Sequence, residues 1–154
     1  MPSLAEIIAA EADMVSAFVA LLREEQEILK SGTPDALPSV VERKTVLAAR
    51  LNPQSQLRNR TLAAAGHATD RVGMEAWLKQ HGDDAATRKA WTRLLDLARE
   101  AHELNRLNGE LIRVRQQHAA EALDALLPGL RQDIYGASGG QGTPTTTRRI
   151  IDSA

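Results

Sequence analysis

Ser3-Leu4-Ala5-Glu6-Ile7-Ile8, continued by Met14-Val15, Leu21-Leu22 and Ile28-Leu29, places an apolar pair at every seventh residue from the start of the chain to Lys30. A seven-residue apolar repeat lies on one side of an α-helix and on no single face of a strand, so this stretch predicts a helix that packs along its whole length. Ser3 and Glu6 form a capping box that starts it, and Ser31-Gly32 ends it. Phe18 fills the intervening turn, whereas Glu11 and Glu25 fall at the equivalent offsets, so the stripe is amphipathic and broad enough to touch two neighbours. At about 1.5 Å per residue the helix is roughly 40 Å long, which suits an elongated bundle.

Beyond it, Thr33-Pro34-Asp35 can cap a second helix, with Pro38 delaying a regular start. Val40, Val41, Lys44, Leu47, Ala48 and Leu51 mark its inner face, and Asn52-Pro53 predicts a bend or break before Leu57. A connector between Gly66 and Gly82 carries a short helical piece from Met74 to Gln80, with Trp77 as its expected core-capping anchor. Asp83 or Asp84 then caps the longest element, which runs to about Leu127 before Pro128-Gly129. The prediction is an all-α protein: an elongated, antiparallel three-helix bundle, with two long helices, a shorter bent one and a connector helix. Residues 1–130 form the bundle. Residues 131–154 change to Gly-Ala-Ser-Gly-Gly-Gln-Gly and Thr-Pro-Thr-Thr-Thr, the composition of a flexible tail.

Leu104-Asn105-Arg106-Leu107-Asn108-Gly109-Glu110-Leu111-Ile112 is the least regular part of the last helix. Helical spacing puts Asn105, Asn108, Gly109 and Ile112 on the face that carries Trp91, Leu94, Ala98 and Ala101 upstream and Ala119, Ala122 and Leu126 downstream, with Leu97, Leu104 and Leu111 as a flanking column. The alanines let another helix approach closely. A seam amide must find partners or stay wet, and an interior glycine costs a helix roughly 1 kcal/mol relative to alanine. Two readings stay open: the amides fix helix register, or they serve a binding partner.

These residues, with Tyr135-Gly136-Ala137 and Gly139-Gly140-Gln141, resemble the FlgN family of flagellar type III export chaperones, and the likeness extends more weakly to the first helix and to Lys44. The resemblance implies a cytoplasmic helical protein that holds hook-filament junction proteins, the hook-associated proteins, and delivers them to the export gate. It implies an unbroken second helix, from which Pro53 departs. On this reading Leu104, Leu107, Leu111, Ile112, Leu123 and Leu126 cover the apolar side of a client helix, Asn105 and Asn108 satisfy its polar groups, and Tyr135 docks on the gate.

Composition narrows the alternatives. With 154 residues one modest core is expected, and a formal charge of -1 with only two Trp, one Tyr and one Phe supplies neither the electrostatic footprint nor the stacking platform of a nucleic-acid binder. The absence of Cys removes thiolate chemistry and cysteine zinc sites. No run approaches the roughly 20 apolar residues of a bilayer span, and the amino terminus, broken by Glu6, Glu11 and Asp13, does not read as a secretion signal, so a soluble cytoplasmic protein without stable membrane insertion is expected. Of the four histidines, His102 and His118 share the last helix but lie roughly 24 Å apart on near-opposite faces, too far to share a metal. No Glu-x-x-His or His-Glu-x-x-His pattern and no phosphate-cradling Gly-Lys loop occurs, so neither enzyme activity nor a metal or other cofactor is expected. The mixed charges from Arg99 to Arg113 read as a solvated face. The competing class is a self-assembling helical scaffold, which the heptads also suit, and a chaperone of this kind could itself form a homo-oligomer when client-free.

Overall fold

The computed structural model describes residues 1–126, and all of its regular structure is helical: α1 (Leu4–Ser31), a 3-10 turn (Pro34–Ala36), α2 (Leu37–Ala64), α3 (Arg71–Gln80) and α4 (Ala85–Leu126). Among the described residues there are four α-helices and no strand. The chain divides into two units, Met1–Ile112 and Arg113–Ala154, and α4 runs from the first into the second. The expected boundary at residue 130, the Gly/Thr-rich tail and Tyr135 lie outside the described residues.

Local chemistry sets the helix ends. The Glu6 amide donates to Ser3 Oγ at 3.2 Å and the Ser3 amide to Glu6 Oε2 at 2.7 Å, so each end of the box satisfies a donor that the first turn leaves free. Gly32, with φ 75°, takes the left-handed conformation that closes α1 through its own amide to the Ile28 carbonyl. Asp70 starts α3 by accepting from the Gly73 amide at 2.8 Å. Gly73 is obligatory there, because a Cβ would stand 1.8 Å from the Ala68 carbonyl oxygen. Of the two aspartates before α4, Asp84 is the cap: it accepts from the Thr87 amide at 3.0 Å and the Thr87 hydroxyl at 2.7 Å.

The second helix departs from the expected delay at Pro38 and is not broken at Pro53. Pro38 lies in the first turn of α2, where no amide hydrogen is needed, and does not delay it. α2 also continues through Pro53. The hydrogen bond lost there is offset just downstream, where Gln54 Nε2 donates to the Ile7 carbonyl at 2.9 Å and Ser55 and Arg58 reach Glu11, so contacts to α1 hold the chain in place past the proline. Val40 is buried and Lys44, Leu47 and Leu51 turn partly inward, while Val41 and Ala48 remain exposed.

Cross-helix pairs fix the directions. Glu11 with Arg58 and Glu25 with Lys44 rise along α1 as they fall along α2, so those two helices are antiparallel. Asp13 with Arg93, Arg23 with Glu100 and Leu22 with Asn108 rise together, so α1 and α4 are parallel. The expectation that the first and last helices pack antiparallel, with a shorter one beside them, is thereby corrected, since α2 has the same 28 residues as α1. The intervening α2 and α3 return the chain to the end where it began, and α4 must then leave in the direction of α1.

The core gathers Leu4, Ile8 and Ala12 of α1, Leu62 of α2, Met74 of α3, and Trp91 and Leu94 of α4. Fully burying a side chain of this size contributes about 1.5–3 kcal/mol. Met74 is the residue by which α3 enters this core. Trp77, the expected anchor, is half-buried against its edge and stacks on His81 with ring centroids 3.9 Å apart.

Candidate functional site

Within Met1–Ile112, the inner face of α4 passes through Thr87, Trp91, Leu94 and Asn108, the buried residues of that helix. Leu97, Ala101, Leu104, Leu107, Leu111 and Ile112 are half-buried beside them, whereas Ala98, Asn105 and Gly109 are exposed. The expected seam is therefore rotated by about one residue. Leu104 and Leu111 belong to it instead of flanking it, and of the polar trio only Asn108 is on it. Nothing lies within 4 Å of where a Gly109 Cβ would stand, so no close approach explains that glycine.

Asn108, 1% exposed, donates both amide hydrogens to α1: Nδ2 is 2.8 Å from the Leu22 carbonyl oxygen and 2.9 Å from Glu25 Oε1. Two acceptors on one nitrogen fix the orientation of the amide. Glu25 is itself buried, and Lys44 of α2 donates to both its oxygens at 3.1 Å while its Nζ stands 5.9 Å from the centre of the Phe18 ring. One polar layer thus ties all three long helices together. Its weak point is Asn108 Oδ1, which is enclosed without a hydrogen-bond partner. A bond to a neutral carbonyl contributes about 1 kcal/mol and one to a carboxylate about 1.5–3, against roughly 1–3 lost at the orphaned oxygen, so the amide holds α4 in register with a net stabilisation of only about 1 kcal/mol.

A second layer repeats the arrangement two heptads away on α1. Glu11, also buried, accepts from Arg58 Nη1 at 2.6 Å through each oxygen and from Ser55 Oγ at 2.7 Å, and the Arg58 guanidinium lies 5.5 Å from the Trp91 ring centre. The Trp91 indole nitrogen has no acceptor. Glu11 and Glu25 thus do more than make the first helix amphipathic. Their spacing matches that of Lys44 and Arg58 on α2, and this complementary pair of spacings is a signal the sequence contained. Buried ionic groups penalise any shift of register by leaving a charge uncompensated.

Residues Arg113–Leu126 of α4 form the described part of the second unit. Val114 is 38% exposed, Leu123 50% and Leu126 78%, and Ala119 and Ala122 are exposed with them. Of the expected client-binding set, Asn105, Leu123 and Leu126 are therefore accessible, Leu104, Leu107, Leu111 and Ile112 are partly so, and Asn108 is closed off.

A cavity of about 530 Å³ lined by Ser16, Arg93, Asp96, Leu97 and Glu100 among others opens between α1 and α4. Among the described residues no group of three or more His, Asp or Glu side chains could hold a metal ion, and no helix is long and apolar enough to cross a membrane.

In comparisons with known proteins, the model of the FlgN protein family matches residues 1–143. No curated protein and no solved structure matches the chain.

Proposed function

Since the chain belongs to the FlgN family, whose broad role is that of a flagellar export chaperone, we propose that it binds hook-filament junction proteins through their helical segments in the cytoplasm. Binding would prevent premature association of the client and deliver it to the type III export gate. The observation that carries this reading is the run of exposed apolar side chains at the carboxy-terminal end of α4, where Leu123 and Leu126 present their sides to solvent. A helix that exposes leucines at helical spacing offers the anchors that a second amphipathic helix needs. Leu104, Leu107, Leu111 and Ile112 would extend the surface, with exposed Asn105 supplying a polar contact, and Tyr135 would serve the gate. The family is one of chaperones.

Isothermal titration against a peptide of the carboxy-terminal helical segment of a junction protein tests the proposal. Saturable binding is expected, weakened tenfold or more by Leu123→Asp with Leu126→Asp. The absence of heat at high micromolar concentration refutes it.

The same exposed leucines also suit a self-assembling scaffold, or a homo-oligomer that exists while the client is absent. Sedimentation separates these readings: conversion to a one-to-one complex on adding client supports the chaperone, and an oligomer indifferent to client supports the scaffold.

A further inference from the structure

Between residues 85 and 112, α4 is held unevenly. At its start Thr87, Trp91 and Leu94 are buried, and the last two join the main core. From residue 95 to residue 112 only Asn108 is buried, and it is polar, with its Oδ1 enclosed and unpartnered. Among the described residues this stretch also pairs Glu100 with the exposed Arg23 of α1, and the 530 Å³ cavity opens alongside that pair. The α1–α2 hairpin, by contrast, is also held by bonds that contain no α4 atom, Glu11 to Arg58, Glu24 to Arg43, Gln54 to the Ile7 carbonyl, and Glu25 to Lys44, the last sharing Glu25 with Asn108. A stretch seated by half-buried apolar side chains and one half-satisfied amide opens at less cost than the fully buried start of the helix.

We infer that the face of the α1–α2 hairpin beneath residues 95–112 is itself a binding surface, occupied by a partner helix when that stretch of α4 lifts. The groups left on the face specify the occupant. The Leu22 carbonyl and Glu25 Oε1 both accept hydrogen bonds, and Lys44 already pairs with the Glu25 carboxylate. A helix that presents a side-chain amide, Asn or Gln, in an otherwise apolar seam supplies two neutral N–H donors and reproduces what Asn108 does. A carboxylate at that place would be repelled by Glu25, and an aliphatic side chain would leave both acceptors a donor short. The occupant is thus an amphipathic helix of α4-like pattern. This rests on the chaperone reading, and it assigns the client helix a seat distinct from the exposed end of α4.

The chain contains no cysteine, so Arg23→Cys with Glu100→Cys introduces the only two thiols, and a reducible bis-maleimide can staple α4 to α1 at that point. The probe is the peptide from the carboxy-terminal helical segment of a junction protein. Stapling is expected to weaken its binding at least tenfold, with reduction of the linker restoring it, and replacing the peptide's seam amide by Leu is expected to weaken binding to a similar degree. In the unmodified protein, adding the peptide is expected to raise amide hydrogen exchange within residues 95–112. Equal affinity with and without the staple, or unchanged exchange in the unmodified protein, overturns the seat and leaves the chaperone reading intact. No binding to the unmodified protein overturns the chaperone reading, and the inference falls with it.

Discussion

Lys44→Met tests whether the layer at Glu25 is a coupled unit. Glu25 is buried, and its two oxygens each lie 3.1 Å from the Lys44 nitrogen, so at an effective dielectric near 20 the gross attraction is about 5 kcal/mol. Removing the lysine leaves the carboxylate with the Asn108 amide alone. Loss of one partner from a buried pair costs about 3–5 kcal/mol, and because the Lys44 side chain is 18% exposed we place this case near the lower end, at roughly 3. For a chain of this size that corresponds to a fall in Tm of about 6–12 °C. Urea denaturation followed by circular dichroism at neutral pH measures the loss directly, and it should change little with added salt because Glu25 is shielded from counterions. The triple variant Glu25→Leu with Lys44→Met and Asn108→Leu removes the layer as a set and should regain most of the stability. A loss below about 1 kcal/mol in the single variant, or a triple variant no more stable than the single, would refute the reasoning.

Four further outcomes follow from individual sites. Gly109→Ala should stabilise the protein by about 0.5–1 kcal/mol, because the added methyl meets open space while the unfolded chain loses freedom; a destabilised variant in the same denaturation assay would contradict this. Gly73→Ala should lower stability by roughly 2 kcal/mol or more, since the Ala68 carbonyl must move and is backbone, and retention of the parent Tm would show that the α3 entry is slack. The backbone amide of Ser3 holds the Glu6 carboxyl below its usual range, and the Thr87 hydroxyl does the same for Asp84. Groups lowered on folding add stability that is complete above the unfolded carboxylate range and lost as pH falls through the folded values, so Glu6→Gln with Asp84→Asn should flatten the acid limb of a Tm against pH curve; an unchanged limb would exclude the caps as its source. Leu123→Asp with Leu126→Asp should leave Tm within about 1–2 °C of the parent, because both residues are exposed, and a larger drop would mean that they pack internally.

Much of the local structure was legible. Ser3, Glu6, Gly32 and Asp84 cap the helices as their chemistry requires, and the heptads of the first helix do face the core. The prolines misled because their cost is local and the contacts that offset it are not: Gln54 and Ser55 reach α1, and no window around Pro53 shows that. The phase of the last seam misled for a related reason. Apolar residues at 97, 101, 104, 107, 111 and 112 form a stripe broad enough to be centred on either side of Leu104, and only the partner atoms at Leu22 and Glu25 select the centring that buries Asn108 and exposes Asn105.

The sequence by itself determined that this chain is helical, where α1 and α4 begin, and the family to which its residues are similar, because caps and apolar periods act within a few residues of where they are written. Tertiary structure decided that α4 runs parallel to α1 and that Glu11 and Glu25 are buried partners of Arg58 and Lys44, and it alone put Asn108 in the seam. The physical reason is distance along the chain. Each of those outcomes depends on a partner nineteen or more residues away, and a buried charge or amide becomes tolerable only when the fold brings that partner within hydrogen-bonding reach.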